Sequence, residues 1–288
     1  MIFKSFQTIC FNILYVFLKI LEKISNRFIM LRFKEFLEKK SYINKTIFNK
    51  KIFFFTPNEL IRWRVETILD KEPETIQWIN TFNNNCIFWD IGANIGLYSI
   101  YAAKNKKNIK VYSFEPSTSN LRTLSRNISI NKLQNKIFII PFALSNLKNK
   151  ILQLKEKQFI EGGALNAFGV NYDFSGKNFF FENSYNTFGT SLDNLIDKKV
   201  LSIPNYIKID VDGIEDLILI GSKNVLSNKK IKSILIEINE KFRSQKIEIL
   251  RIMKKNNFKL ITKNRNDFYY KNDFDGIYNY IFEKKIKN

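Results

Sequence analysis

Histidine is absent from all 288 residues, and cysteine occurs only at Cys10 and Cys86. Without an imidazole there is no Ser–His–acid triad, so a general base must be a carboxylate, a lysine or a tyrosine. Two distant cysteines with no Cys-x-x-Cys spacing do not make a zinc site. Nor do they read as a disulfide: Cys86 begins an apolar strand and Cys10 lies in an apolar helix, which fits a reducing, cytoplasmic setting. Long hydrophobic runs are missing too. Ile9–Leu21 is 13 residues long and is interrupted by Asn12 and Lys19, too short and too polar to span a bilayer. It has no small-residue cleavage site, so no signal peptide is expected. Glycine (10) and proline (5) are scarce, which makes each glycine-bearing turn stand out.

Hydrophobic residues make up 45% of the chain, enough for a large core and too many for global disorder. The net charge of +20 points to anionic partners such as nucleic acid. The cations, however, are spread along the whole chain, in a composition rich in Lys, Asn, Ile and Phe of the kind AT-rich coding produces. Dispersed charge is the simpler reading. Residues 1–40 read as helix. Lys4, Lys19, Lys23, Arg27, Arg32 and Lys34 around its apolar run suit a helix lying on an anionic membrane face. A helix that caps the domain or packs in a homo-oligomer is the favoured reading.

From residue 58 the chain alternates in a regular way. Helical patterns at 58–70 and 72–82 precede strand 86–91, helix 95–105, strand 109–114, helix 118–130 and strand 137–141. An irregular, strand-rich insert at about 148–190 follows. Strand 205–211, helix 214–227, strand 232–238 and helix 242–256 then resume the pattern, and strands near 258–262 and 278–283 close it. Alternating β and α elements imply a mostly parallel sheet with helices on both faces. The expected organisation is an N-terminal extension, residues 1–57, and one domain, residues 58–288.

The stretch Cys86–Ile100, CIFWDIGANIGLYSI, reads as a buried strand, an acid, two glycines four apart and a helix start. The next strand ends on Glu115, at the spacing of about 20 residues where an acid meets a ribose. A strand, a glycine turn and a helix are how an α/β sheet holds an adenosine-containing cofactor. The alternative is an ordinary βα turn with no ligand. Dinucleotide sites place a second glycine where this chain has Asn94, so that backbone can approach a pyrophosphate. S-adenosylmethionine has no phosphate but carries an ammonium and a carboxylate, and Asp90 offers the acid such a pocket needs. The spacing therefore favours the methyl donor over NAD. Ligands gather at the carboxyl ends of the central strands. Here these are Asp90–Gly92, Glu115–Pro116, Phe142–Ser145, Asp210–Gly213 and Glu237–Asn239.

In Tyr206–Asp216, YIKIDVDGIED, Asp210 ends a strand and Asp212 precedes a helix. Two carboxylates side by side require a nearby cation, which a sulfonium, a metal ion or Lys208 would provide. Asp210 is the expected base for an acceptor hydroxyl. Asp212 either assists it or caps the following helix. With Glu237 the two also form an oxygen set suited to magnesium or calcium, and the sequence does not decide whether a metal is used.

The motifs WDIGANIGLYS, YSFEPS, PFALSN, TSLDNL and KIDVDGIEDLILIGS, in this order, resemble the FkbM family of S-adenosylmethionine-dependent methyltransferases over about Leu60–Asn239. The resemblance implies a class I methyltransferase (Rossmann-like) fold with a seven-stranded, mostly parallel sheet. It also implies O-methylation of a hydroxyl on a glycan or secondary metabolite. By position, Asp90, Gly92, Asn94 and Gly96 would hold the methionine end, Glu115 the ribose, and Ala143, Leu144 and Ser145 the adenine side, whose ring Pro116 would also flank. Asp210–Gly213 would border the acceptor. An RNA or DNA methyltransferase is the alternative, favoured by the net charge but lacking Asn-Pro-Pro-Tyr and Pro-Cys signatures.

Overall fold

The computed structural model describes residues 2–269 and 271–285; the outer bounds of the two expected segments, Met1 and Asn288, lie outside the described residues. The chain divides into two units, Met1–Ile43 and Asn44–Asn288. The smaller holds helices α1 (Ile2–Ser25) and α2 (Ile29–Lys40). The single helix expected over residues 1–40 is broken at Asn26, whose φ of +50° ends α1 as asparagine commonly does just past a helix. Strands β1 (Tyr42–Ile47) and β2 (Lys50–Phe55) form a two-stranded sheet. The division falls before the boundary expected at residue 57, for a reason visible in the side chains. Asn131 and Asn127 accept the backbone N–H groups of Phe53 and Phe55 at 3.0 and 2.8 Å, so β2 is tied into the larger unit.

That unit continues with α3 (Glu59–Glu66) and α4 (Pro73–Asn80), and then the alternating core: β3 (Ile87–Ile91), α5 (Leu97–Asn105), β4 (Lys110–Phe114), α6 (Thr118–Ile130) and β5 (Ile137–Ile140). After β6 (Ala143–Leu144) come β7 (Lys150–Glu156), β8 (Asn166–Phe168), β9 (Asn183–Thr190) and α7 (Leu192–Asp197). The chain returns through β10 (Tyr206–Ile209), α8 (Glu215–Ile220), α9 (Lys223–Ser227), β11 (Ser233–Asn239), α10 (Arg243–Lys255), β12 (Phe258–Asn264) and β13 (Ile277–Lys284). The helix expected at 214–227 is two helices. Asp193 accepts the N–H groups of Asn224 and Val225 at 3.0 Å and so gives α9 its own N-terminal cap.

Seven strands form one sheet in the order β12-β13-β11-β10-β3-β4-β5. From β11 to β5 all neighbours are parallel, while β13 runs antiparallel between β11 and β12. This is the class I methyltransferase arrangement expected from the sequence. The chain order reverses between β3 and β10, and ligands of such sheets bind outside the strand ends at that switch point. Phe88, Trp89, Asp90 and Ile91 in β3 and all of β10 are buried, as central parallel strands covered on both faces must be. The insert folds into a second sheet, β6-β9-β7-β8, more regular than its sequence implies.

Candidate active site

The turn after β3 is shaped by a contact that only glycine permits. Gly92 has φ +82°, and a Cβ there would stand 1.7 Å from the carbonyl oxygen of Asp210. The N–H groups of Gly92 and Ala93 both donate to the Phe114 carbonyl at 3.0 Å. This single residue thus locks the ends of β3, β4 and β10 together. Gly92→Ala is expected to cost about 2–5 kcal/mol, from left-handed strain plus overpacking against rigid backbone, and thermal unfolding of the variant measures it. Gly96, φ +87°, serves a different contact: a Cβ would lie 2.5 Å from Leu124 Cδ1, so it lets α5 approach α6.

A cavity of about 410 Å³ opens at these strand ends, within the usual range for a small-molecule site. Six of the residues expected to hold a cofactor line it: Gly92, Asn94, Glu115, Pro116, Ala143 and Leu144. Asp90, Gly96 and Ser145 are not among its lining residues. The Asp90 carboxylate is fully buried and turned to the Ser99 hydroxyl at 2.6 Å. Burial pushes its pKa up, against the pull of Lys208, its neighbour in register on β10. Asn94 acts as an organiser. Its N–H donates to Glu115 at 2.7 Å and its side-chain amide to the Gly163 carbonyl at 2.7 Å, which ties the insert to the turn.

Glu115 accepts the Asn94 N–H on one oxygen and the Ser117 N–H, at 2.9 Å, on the other. The Asn120 side chain also bonds this carboxylate, and its remaining lone-pair capacity is what a ligand hydroxyl would meet. Burial raises its pKa to about 7 despite these bonds. Pro116, Phe142, Leu144, Leu154 and Phe168 give the adjoining part of the cavity an apolar lining.

The other part is ionic. Lys208, fully buried in β10, donates to Asp210 Oδ2 at 2.5 Å and lies 5.1 Å from the centre of the Tyr98 ring. Burial works against its ammonium, yet Asp210, Asp90 and Glu72 together hold its pKa above the ordinary lysine value. Glu72 takes the Lys71 ammonium at 2.9 Å and the Tyr98 hydroxyl at 2.8 Å. Although buried, Glu72 is kept below the usual carboxylate range by Lys71 and Lys208. Asp210, Asp212 and Glu237 each offer an oxygen within 4.8 Å of the others.

Asp212 is not a helix cap: Ile214 holds that position in α8 with no side-chain capping bond, while Glu215 accepts the Val211 and Gly213 N–H groups of the preceding turn. Asp212 sits at φ +64° and accepts the Leu165 N–H at 2.7 Å. Burial, and then repulsion from Asp210, raises its pKa to about 6. Burial and Asp210 likewise drive Glu237 well above the carboxylate range. Of these three carboxylates, Asp210 is the one paired with Lys208.

The cavity also draws on residues that sequence reasoning missed: Trp63 and Arg64 of α3, Tyr98, the insert residues Gly163–Asn166, Tyr269 and Phe274. The insert's EGGALNAFG segment carries three glycines, but nothing in its sequence shows that it reaches the strand ends.

A family profile described as Methyltransferase FkbM domain matches residues 90–260. No curated protein sequence is a significant match. Among solved structures, the methyltransferase FkbM of Methylobacillus flagellatus is 17% identical with a TM-score of 0.47, covering 70% of this chain and 44% of its own. The precorrin-6y C5,15-methyltransferase of Geobacter metallireducens is 12% identical with a TM-score of 0.44, covering 74% and 86%. TrmK of M. capricolum, solved with S-adenosylhomocysteine, is 16% identical with a TM-score of 0.42, covering 74% and 68%.

Proposed function

Because the chain belongs to the FkbM methyltransferase family, we propose that it transfers a methyl group from S-adenosylmethionine to a hydroxyl oxygen of a sugar, on a glycan or secondary metabolite. The residues present suit the donor: a buried carboxylate at Glu115 with lone pairs left to accept a hydroxyl, an apolar lining from Pro116 to Phe168, and a carboxylate-rich part that suits a cationic group. Bound there, S-adenosylmethionine supplies an electrophilic methyl group on a good leaving group. Holding the acceptor oxygen in line then accounts for much of the rate, up to roughly 7–11 kcal/mol.

The observation that carries the hydroxyl reading is Asp212. An alcohol must lose its proton as it attacks, and an efficient base has a pKa near the working pH. Asp212 lines the cavity with a pKa of about 6 and is oriented by the Leu165 N–H. Asp210, the base expected from sequence, has one oxygen committed to Lys208, so we assign it the role of holding the local charge balance.

The lining also argues for a neutral acceptor. Five carboxylates, Glu72, Glu115, Asp210, Asp212 and Glu237, face four cations, Arg64, Lys71, Lys157 and Lys208. Lys71 and Lys208 are already paired within the cavity. A phosphodiester backbone would gain little from such a wall, whatever the charge of the whole chain. Purified protein incubated with radiolabelled donor and matched panels of polysaccharide, free sugars and RNA tests the choice. Label is expected in a carbohydrate fraction; label confined to RNA would overturn the reading.

A further inference from the structure

Helix α1 presents a surface that nothing in its own unit covers. At about 100° per residue, Thr8, Asn12, Tyr15, Lys19, Glu22 and Lys23 fall on one side, within an arc of roughly 100°. Phe6, Ile9, Ile13, Phe17, Ile20 and Ile24 fall on the opposite side, and each is more than half exposed, from 53% at Ile9 and Ile20 to 77% at Ile24. In α1 only Leu18 of the residues from Phe6 on is buried, and helix α2 has no buried residue. An apolar stripe this long and continuous is not left in water; it marks an interaction surface.

Two further observations say what covers it. Residues 1–40 carry eight lysines and arginines against three glutamates. A second copy laid on this face would bring like charge to like charge, whereas an anionic lipid surface attracts every such cation. The apolar side is also wide, well over half the circumference, while a helix pair buries only a narrow a/d seam. No helix of the described residues is long and apolar enough to cross a membrane. A wide apolar face, a narrow charged one and insufficient apolar length are the marks of a helix that lies in the interface plane.

We propose that α1 lies flat in the headgroup region of an anionic bilayer, with the Phe6–Ile24 stripe in the acyl boundary. The cations of its polar side and of α2, Arg32, Lys34, Lys39 and Lys40, meet the lipid phosphates. The surface depends on neither the cavity nor its chemistry, so it stands or falls apart from the reaction.

Flotation of the full chain with vesicles of phosphatidylcholine, with and without phosphatidylglycerol, tests this. The protein is expected to float with the anionic vesicles and to be released substantially by high salt. Ile13→Lys combined with Phe17→Lys should lower the vesicle partition coefficient by about 100-fold, because two apolar side chains no longer enter the lipid. Asn12→Lys, on the polar side, should retain or strengthen binding. The substituted positions are exposed, so folding is not at stake, and circular dichroism checks it. Equal partition into neutral and anionic vesicles would overturn the proposal. So would a vesicle-indifferent dimer, seen by sedimentation, that the double substitution dissociates.

Discussion

Replacing Asp212 by asparagine is expected to slow methyl transfer by about 10²–10⁴-fold, the usual worth of general-base catalysis, with little change in binding of S-adenosylhomocysteine. The substitution is informative because it keeps the geometry. An asparagine Oδ1 can still accept the Leu165 N–H that now reaches Asp212 at 2.7 Å, so what is lost is the ability to take a proton. The pH profile gives a second signature. A base must be unprotonated to work, and burial with Asp210 nearby places this group's pKa at about 6. In the unsubstituted enzyme kcat/KM should therefore fall as pH drops below about 6 and level off above it. That acid limb should vanish in the variant. With Lys208 already supplying the cation beside Asp210, a chelator should leave the rate unchanged. A rate abolished by chelation and restored by magnesium would instead make the Asp210–Asp212–Glu237 set a metal site.

Glu115→Ala is expected to weaken cofactor binding by about 10²–10⁴-fold, the loss of two hydrogen bonds to a charged acceptor at roughly 1.5–3 kcal/mol each. The carboxylate also holds the Asn94 and Ser117 N–H groups, so its removal leaves two donors unpartnered beside the ligand. Burial sets its pKa at about 7. Hydroxyl donors favour the ionised form, so the pKa of the complex must lie below that of the free protein. Affinity for S-adenosylhomocysteine, which lacks the sulfonium charge, should then fall by up to about tenfold per pH unit as pH drops below 7, and level off above it. Glu115→Gln should flatten that slope. Calorimetry at several pH values reads both effects, and an unchanged affinity in Glu115→Ala would remove this residue from the site.

The βα core was legible because its signals are local. Strands of Ile, Phe, Val and Trp ending in an acid or a glycine mark β3, β4 and β10, and Ser117 caps α6 at its predicted start. The residues that do the chemistry were harder to read because their partners are remote in sequence. Asp212 reads either as an assisting base or as a cap, because aspartate before a helix commonly is one. Its actual partner, Leu165, lies in the insert, and α8 has no side-chain cap. Asp90 reads as a ligand because it precedes the glycine turn, and the sequence does not show that its Oδ2 accepts the Ser99 hydroxyl. Conversely, Glu72 enters the cavity from the segment before α4, where no pattern in the sequence sets it apart. The insert hid its sheet because buried charges, Lys155 and Glu156, interrupt the apolar run of β7. Both are hydrogen-bonded by partners elsewhere in the insert, Lys155 by the carbonyl of Val170 and the side chain of Asn171, and Glu156 by Asn183 and Tyr185.

The most direct test is the chemistry of the bond that forms. Incubation with donor labelled at the methyl carbon with carbon-13, followed by NMR of the purified product, identifies the atom that carries the label. The account predicts a methyl ether on a sugar carbon, lost in Asp212→Asn. A methyl group on a nucleobase nitrogen or carbon would contradict it.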